Sequence, residues 1–183
     1  MRRFMVLTTV YAAIAIVLEA STAADDREIQ MKKLEQALVG TWQIVETDEP
    51  SPGSPKGESY NGKEIWSAPG GGPVMEQFQA KSSAGEEAET ALFWWDTKTG
   101  KYHGIWCAPI NDEGCNGFEA KWDGNRLLND GEWTSRGHRL AWHEVFEFAA
   151  PSEFVQTLYI GEPGAEQKLV STIRGNRVAT DKP

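Results

Sequence analysis

The feature that most constrains this chain is the spacing of its strand-forming runs. From residue 40 onward, about ten segments rich in Val, Ile, Thr and aromatic residues alternate with Gly, Pro, Asn and Asp punctuation. They span 40–48, 62–68, 73–81, 89–96, 101–107, 116–123, 126–134, 138–148, 153–160 and 167–174. The links PGGG, DTKTG, GN, SRG and APS are short, and links of two to six residues join neighbouring antiparallel strands. The chain should therefore meander. The exception is EPSPGSPKGESYN at 49–61, whose Pro and Gly content reads as a long mobile loop. A meander has two edges, and closure into an up-and-down barrel removes both. We expect an all-β, roughly ten-stranded antiparallel up-and-down barrel, with two packed sheets as the alternative. Diameter grows with strand number, so ten strands enclose a cavity unless large side chains fill it. Eight tryptophans are available to do so.

Ahead of the strands, DDREIQMKKLEQAL at 25–38 reads as a short helix. Asp25 or Asp26 serves as N-cap, Ile29, Leu34, Ala37 and Leu38 share a face, and Gly40 marks the end.

The N-terminus carries Arg2 and Arg3, an apolar run from Val10 to Leu18, and small residues up to Ala24. This is the pattern of a secretory signal peptide over 1–24, cleaved after Ala23 or Ala24, which leaves 25–183 as a single domain. The apolar run is well short of the roughly 18 to 20 residues a membrane span needs, so no stable membrane anchoring is expected after cleavage. A periplasmic or secreted location follows. The chain holds 18 Lys and Arg against 27 Asp and Glu. Residues 1–24 include Arg2, Arg3 and Glu19, so the remainder carries 16 against 26. That balance excludes a nucleic-acid surface, which needs clustered cations to neutralise phosphates.

Cys107 and Cys115 are the only cysteines. In an oxidising compartment two lone cysteines form a bridge, and a loop this short contributes ~2.5 kcal/mol through chain entropy. The competing readings fit less well. A structural metal site needs four ligands, and a redox pair needs C-x-x-C spacing. No H-x-H, H-E-x-x-H or G-x-S-x-G motif occurs, so no metal is expected and no serine hydrolase elbow is present.

Strand alternation suggests which side chains meet inside. In 138–148, Leu140, Trp142, Phe146 and Phe148 share a face with Glu144. Glu76 lies likewise between Val74 and Phe78, and Gln156 with Phe154, Leu158 and Ile160. If these faces point inward, Glu76, Glu144 and Gln156 are polar groups in an aromatic cavity walled by Trp94, Trp95, Tyr102, Trp106 and Trp142. Inward carboxylates must find hydrogen bonds or raise their pKa. The bland alternative places them at the rim or outside. His103 and His143 have the parity of an outer face, and His138 sits in a turn.

Gly40-Thr41-Trp42, just after the helix, resembles the G-x-W signature that opens calycin barrels such as lipocalins. The resemblance implies that Trp42 packs at a closed base beneath an Arg from the last strand, with Arg174 as the matching position and Arg177 as second choice. LVGTW, GKEIWSAPGGGPVMEQF, ALFWWDTKTGKYHGIWC with the downstream GC, and HEVFEFAAPSEFVQTLYIGE are similar to a group of secreted bacterial lipocalin-like domains of unknown function. That similarity implies fold and compartment rather than a reaction. Calycin-like barrels can hold haem through an inward His, and this chain offers no such residue, so no cofactor is expected.

Three functions remain. The first is a binding module for a small apolar or amphiphilic ligand, with Glu76, Glu144 or Gln156 fixing its orientation. The second is a structural or interaction domain with a filled barrel. The third is an acid-base enzyme of cyclase, isomerase or hydrolase type using Glu144 or Glu76.

Overall fold

Met31, Leu34 and Leu38 recur at helical spacing and are all buried, which fixes the face that helix α1 (26–38) turns to the core. Met31 takes the place expected of Ile29, which is 63% exposed and lies about 200° away around the helix. The structure, a computed structural model, describes residues 26–51, 56–83 and 85–179. The expected signal peptide lies outside the described residues.

Ten strands follow α1: β1 (Gly40–Asp48), β2 (Glu58–Ser67), β3 (Val74–Lys81), β4 (Glu86–Asp96), β5 (Lys101–Cys107), β6 (Cys115–Asp123), β7 (Arg126–Ser135), β8 (His138–Ala150), β9 (Glu153–Gly161) and β10 (Lys168–Arg177). Every consecutive pair is antiparallel, and β1 pairs with β10 from Trp42↔Arg177 to Asp48↔Ser171, which closes the barrel. The ten-stranded expectation holds. One difference lies in the 49–61 segment: β2 begins at Glu58, because Ser59–Asn61 find ladder partners in β1 at Thr47–Val45. Backbone groups that the Pro and Gly content suggests are solvated are instead paired.

Period-2 alternation sends one face of each strand inward, where the core joins Trp42, Ile44, Tyr60, Trp66, Phe93, Tyr102, Phe118, Leu127, Phe146 and Phe154 to the buried face of α1. Burying one such side chain stabilises by ~1.5–3 kcal/mol. α1 closes one end. Tyr102 Oη donates to Gln30 O at 2.8 Å, Trp95 Nε1 to Asp26 Oδ2 at 2.8 Å, and Trp42 Nε1 to Leu38 O at 2.8 Å. The Lys33 ammonium sits 4.5 Å from the Trp122 ring centre on the same end. Where α1 hands over to β1, Gly40 has φ 148°, a conformation that favours glycine, and a Cβ there would crowd Arg177 Nη1 at 3.0 Å.

That arginine corrects the expectation for Arg174. Arg174 is exposed on the outer face, since its parity is opposite to that of the inward Ile173. Arg177 lies over the Trp42 ring at 4.2 Å and donates to the carbonyls of Pro151, Ala37 and Val39. It thereby ties the last free carbonyls of α1 to the last strand.

Candidate ligand-binding cavity

Away from α1 the inward faces turn polar. Glu46 on β1, Glu64 on β2, Glu76 on β3, Glu89 on β4 and Glu144 on β8 all carry inward parity. Asn129, Gln156 and Ser171 continue the belt on β7, β9 and β10. Each hydrogen-bonded carboxylate is held by neutral donors. Glu144 accepts from Asn129 Nδ2 at 2.7 Å and Gln156 Nε2 at 2.6 Å; Glu46 accepts from Ser171 Oγ at 2.6 Å. Glu64 accepts from Trp66 Nε1 at 2.8 Å, and Glu89 from Trp106 Nε1 at 2.7 Å.

A cavity of about 120 Å³ opens beside this belt, with Trp106, Trp133, Trp142 and Phe118 among its walls. Trp106 packs edge-on against Trp133 with ring centres 5.7 Å apart, and Phe118 lies 5.5 Å from Trp142. The Trp142 indole lies over a bare backbone: a Cβ on Gly131 would come within 2.6 Å of it. Among the described residues, no Lys, Arg or His lines the cavity.

Burial without a countercharge sets the electrostatics. Loss of hydration raises Glu64 to about 8 despite its bond from Trp66, with Glu144 and Glu46 adding repulsion. The same loss of hydration raises Glu46 and Glu89 to about 7 and lifts Glu76 well above its ordinary value. Glu144 is raised too, against the pull of its Asn129 and Gln156 donors. Glu64 therefore keeps its proton at neutral pH, and Glu46 and Glu89 titrate close to it. Several polar atoms in this half remain buried and unpartnered: Glu46 Oε2, Glu64 Oε1, Asn129 Oδ1, Gln156 Oε1 and the N–H groups of Trp133 and Trp142. Native interiors leave few groups in that state, and each is a point where a ligand or water can bond.

The cavity mouth is organised by the cysteines. Cys107 and Cys115 sit opposite each other at the ends of β5 and β6 and are joined by a disulfide. The link they enclose carries Ile110, 57% exposed, to the cavity edge. Inside that link Asn111 is buried, with its N–H on Ala108 O and its Oδ1 accepting from Glu113 N. Asp112 N donates to Thr134 O on β7, and Asp112 Oδ2 accepts from Gly137 N. The link is thus fastened at both ends and in the middle.

The structure gathers Glu76, Trp106, Trp142, Glu144 and Gln156 on this cavity. It separates the other expected wall residues. Trp94 is on the outer face, stacked at 6.3 Å on His103, because its neighbour Phe93 takes the inward position. Trp95 and Tyr102 do point inward, but they pack on each other at 4.8 Å beneath α1, in the closed half. Glu46, Glu64, Glu89, Asn129 and Trp133 were not expected, and the signal that finds them is parity with Trp42, Trp66, Ala91, Leu127 and Gly131 along their own strands. His103 and His143 lie outside, the first beside Thr99, the second on Asp130 at 2.8 Å. A wider depression on the outer wall holds Trp94 and several charges, but Glu119 is paired with Lys101, Arg139 with Glu132, and Asp130 with His143.

No protein-family model and no curated protein matches the chain. The solved structures similar to it include the following two. An S-type phycobiliprotein lyase, CPES, from Guillardia theta aligns over 82% of this chain and 93% of its own, at 12% identity and a TM-score of 0.54. Rv2717c from M. tuberculosis aligns over 81% of this chain and 97% of its own, at 11% identity and a TM-score of 0.60. At such identities the likeness is one of fold, and the fold is a calycin-like ten-strand barrel.

Proposed function

We propose that this protein is an exported binding module that holds a small amphiphilic molecule in the open half of its barrel. The observation that carries the reading is the cavity itself, lined by indoles and by desolvated polar side chains, several of which keep a buried polar atom without a partner. A filled structural barrel has no use for a belt of buried carboxyls without a countercharge, each of which costs stability. The lyase likeness is compatible with a barrel of this shape handling a small molecule. Export is supported by the leader-like N-terminus and by a cysteine pair placed to form a cross-strand bridge.

The cavity is small. An engineered apolar cavity of about 150 Å³ takes benzene, so this one receives a ring or a headgroup, with any longer tail leaving past Ile110. Native mass spectrometry of protein purified from its own host tests the reading. A small molecule released one-to-one on denaturation is the expected result. A bare protein mass, joined by no saturable change of tryptophan emission with small aromatic amphiphiles, would contradict it.

A further inference from the structure

We propose that the group seated in this cavity is the cationic nitrogen of a small organic amine or ammonium, its apolar body lying against Trp106, Trp133 and Trp142. The inference deepens the binding-module reading and rests on it.

Charge comes first. Glu46, Glu76, Glu89 and Glu144 stand on the cavity wall and Glu87 joins them, with no basic side chain of the described residues to answer them. Acidic residues alone would not make a site. Here, however, Glu46 and Gln156 line the cavity, are each only 8% exposed, and each keep one buried oxygen, Glu46 Oε2 and Gln156 Oε1, without a partner. Gln156 Oε1 lacks a hydrogen-bond donor, Glu46 Oε2 lacks one once its carboxyl ionises, and an ammonium supplies up to three. The walls suit the same guest, since cations are attracted to indole faces, and desolvated aromatic cages are the common device for ammonium groups. The free N–H groups of Trp133 and Trp142 add a place for a ligand hydroxyl.

A metal ion fits less well. Among the described residues, no three His, Cys, Asp or Glu side chains converge closely enough to hold one. The carboxylates are instead spread around the wall, as suits a larger, softer cation.

Burial around this space holds part of its acids in the protonated form near neutral pH. Binding a cation then becomes an exchange: one carboxyl releases its proton as the ammonium arrives, and the interior gains no net charge. The titratable groups lining this space are Glu46 from β1, Glu76 from β3, Glu87 and Glu89 from β4, and Glu144 from β8; Asp48, Tyr60 and Glu64 act on them from β1 and β2, and His143 acts on Glu144 from the outer side of β8. Among the described residues, the other strands contribute none that line it.

Three probes of similar size separate the possibilities: 2-phenylethylammonium, its neutral isostere propylbenzene, and phenylacetate. Calorimetry near neutral pH, repeated in two buffers of different ionisation heat, should show the ammonium binding at least about tenfold more tightly than propylbenzene, with proton release, and phenylacetate binding weakest. In the Glu76→Gln/Glu89→Gln double variant the ammonium-to-propylbenzene ratio should shrink about tenfold or more. Propylbenzene binding as tightly as the ammonium to the unaltered protein, or a ratio unmoved in the variant, would overturn the inference while leaving the binding module standing. If none of the three binds, the module reading falls, and the inference with it.

Discussion

Glu64 is the most exposing residue in the fold, although none of its surface reaches solvent. It is held by a single indole N–H and surrounded by other acids, so the folded state keeps its proton up to about pH 8, against an ordinary value of 4.5. Between those values the folded protein binds a proton that the unfolded chain has released. The resulting stabilisation is complete below about 4.5 and is lost as pH rises through about 8. Glu46 and Glu89 act in the same direction up to about 7. Thermal denaturation should therefore show Tm falling from pH 5 to pH 8, and Glu64→Gln should flatten that slope. A Tm that rises over this range would mean that these acids are ionised in the folded state. Arg177 makes a second residue-scale test. Arg177→Met should cost about 2 kcal/mol or more through lost charged hydrogen bonds, whereas Arg174→Met should stay within about 0.5 kcal/mol; urea melts compare the two.

At the scale of elements, α1 and the disulfide link do opposite jobs at opposite ends of the barrel. Leu34→Ala removes a fully buried side chain from the plug and should destabilise by ~2–5 kcal/mol, read from denaturant midpoints. Replacing Cys107 and Cys115 by serine should cost ~2.5 kcal/mol at most and, by freeing the link that bears Ile110, should speed hydrogen exchange in 108–114 before it affects the rest. The strands themselves were legible. Alternation and short links locate all ten, and their ends shift by a few residues where partners such as Ser59–Asn61 extend a ladder. Parity also put Glu76, Glu144 and Gln156 on aromatic faces, because neighbours two residues away mark the face, while leaving open whether those faces turn inward or reach the rim. Depth along the barrel was not legible. Nothing in a strand's own sequence says which end a helix will plug, so Trp95 and Tyr102 read like cavity walls yet lie beneath α1. Adjacent Trp94 and Trp95 could not share a face, and only Phe93 and Ala91 reveal which one turns in. Glu46 and Glu64 escaped notice because a single Glu at the end of an apolar alternation reads as a strand reaching the rim.

Over the whole molecule, one barrel is divided into an apolar half and a polar half. The apolar half, from α1 to the layer of Phe93, Phe146 and Phe154, supplies the packing that holds the strands in register. The other half relinquishes some of that stability in order to keep carboxyls, amides and indole N–H groups around a small space, as functional sites commonly do. Ala91 stands on that wall, between Glu76 and Trp106 in the ladders, and an aromatic ring placed there would occupy the space. The central claim is that the space receives a guest, and tryptophan emission tests it most directly. Titration of the unaltered protein and of Ala91→Phe with 2-phenylethylammonium and propylbenzene should give a saturable one-to-one response with at least one probe in the first and none in the second. A response absent from both, or identical in both, would contradict the account.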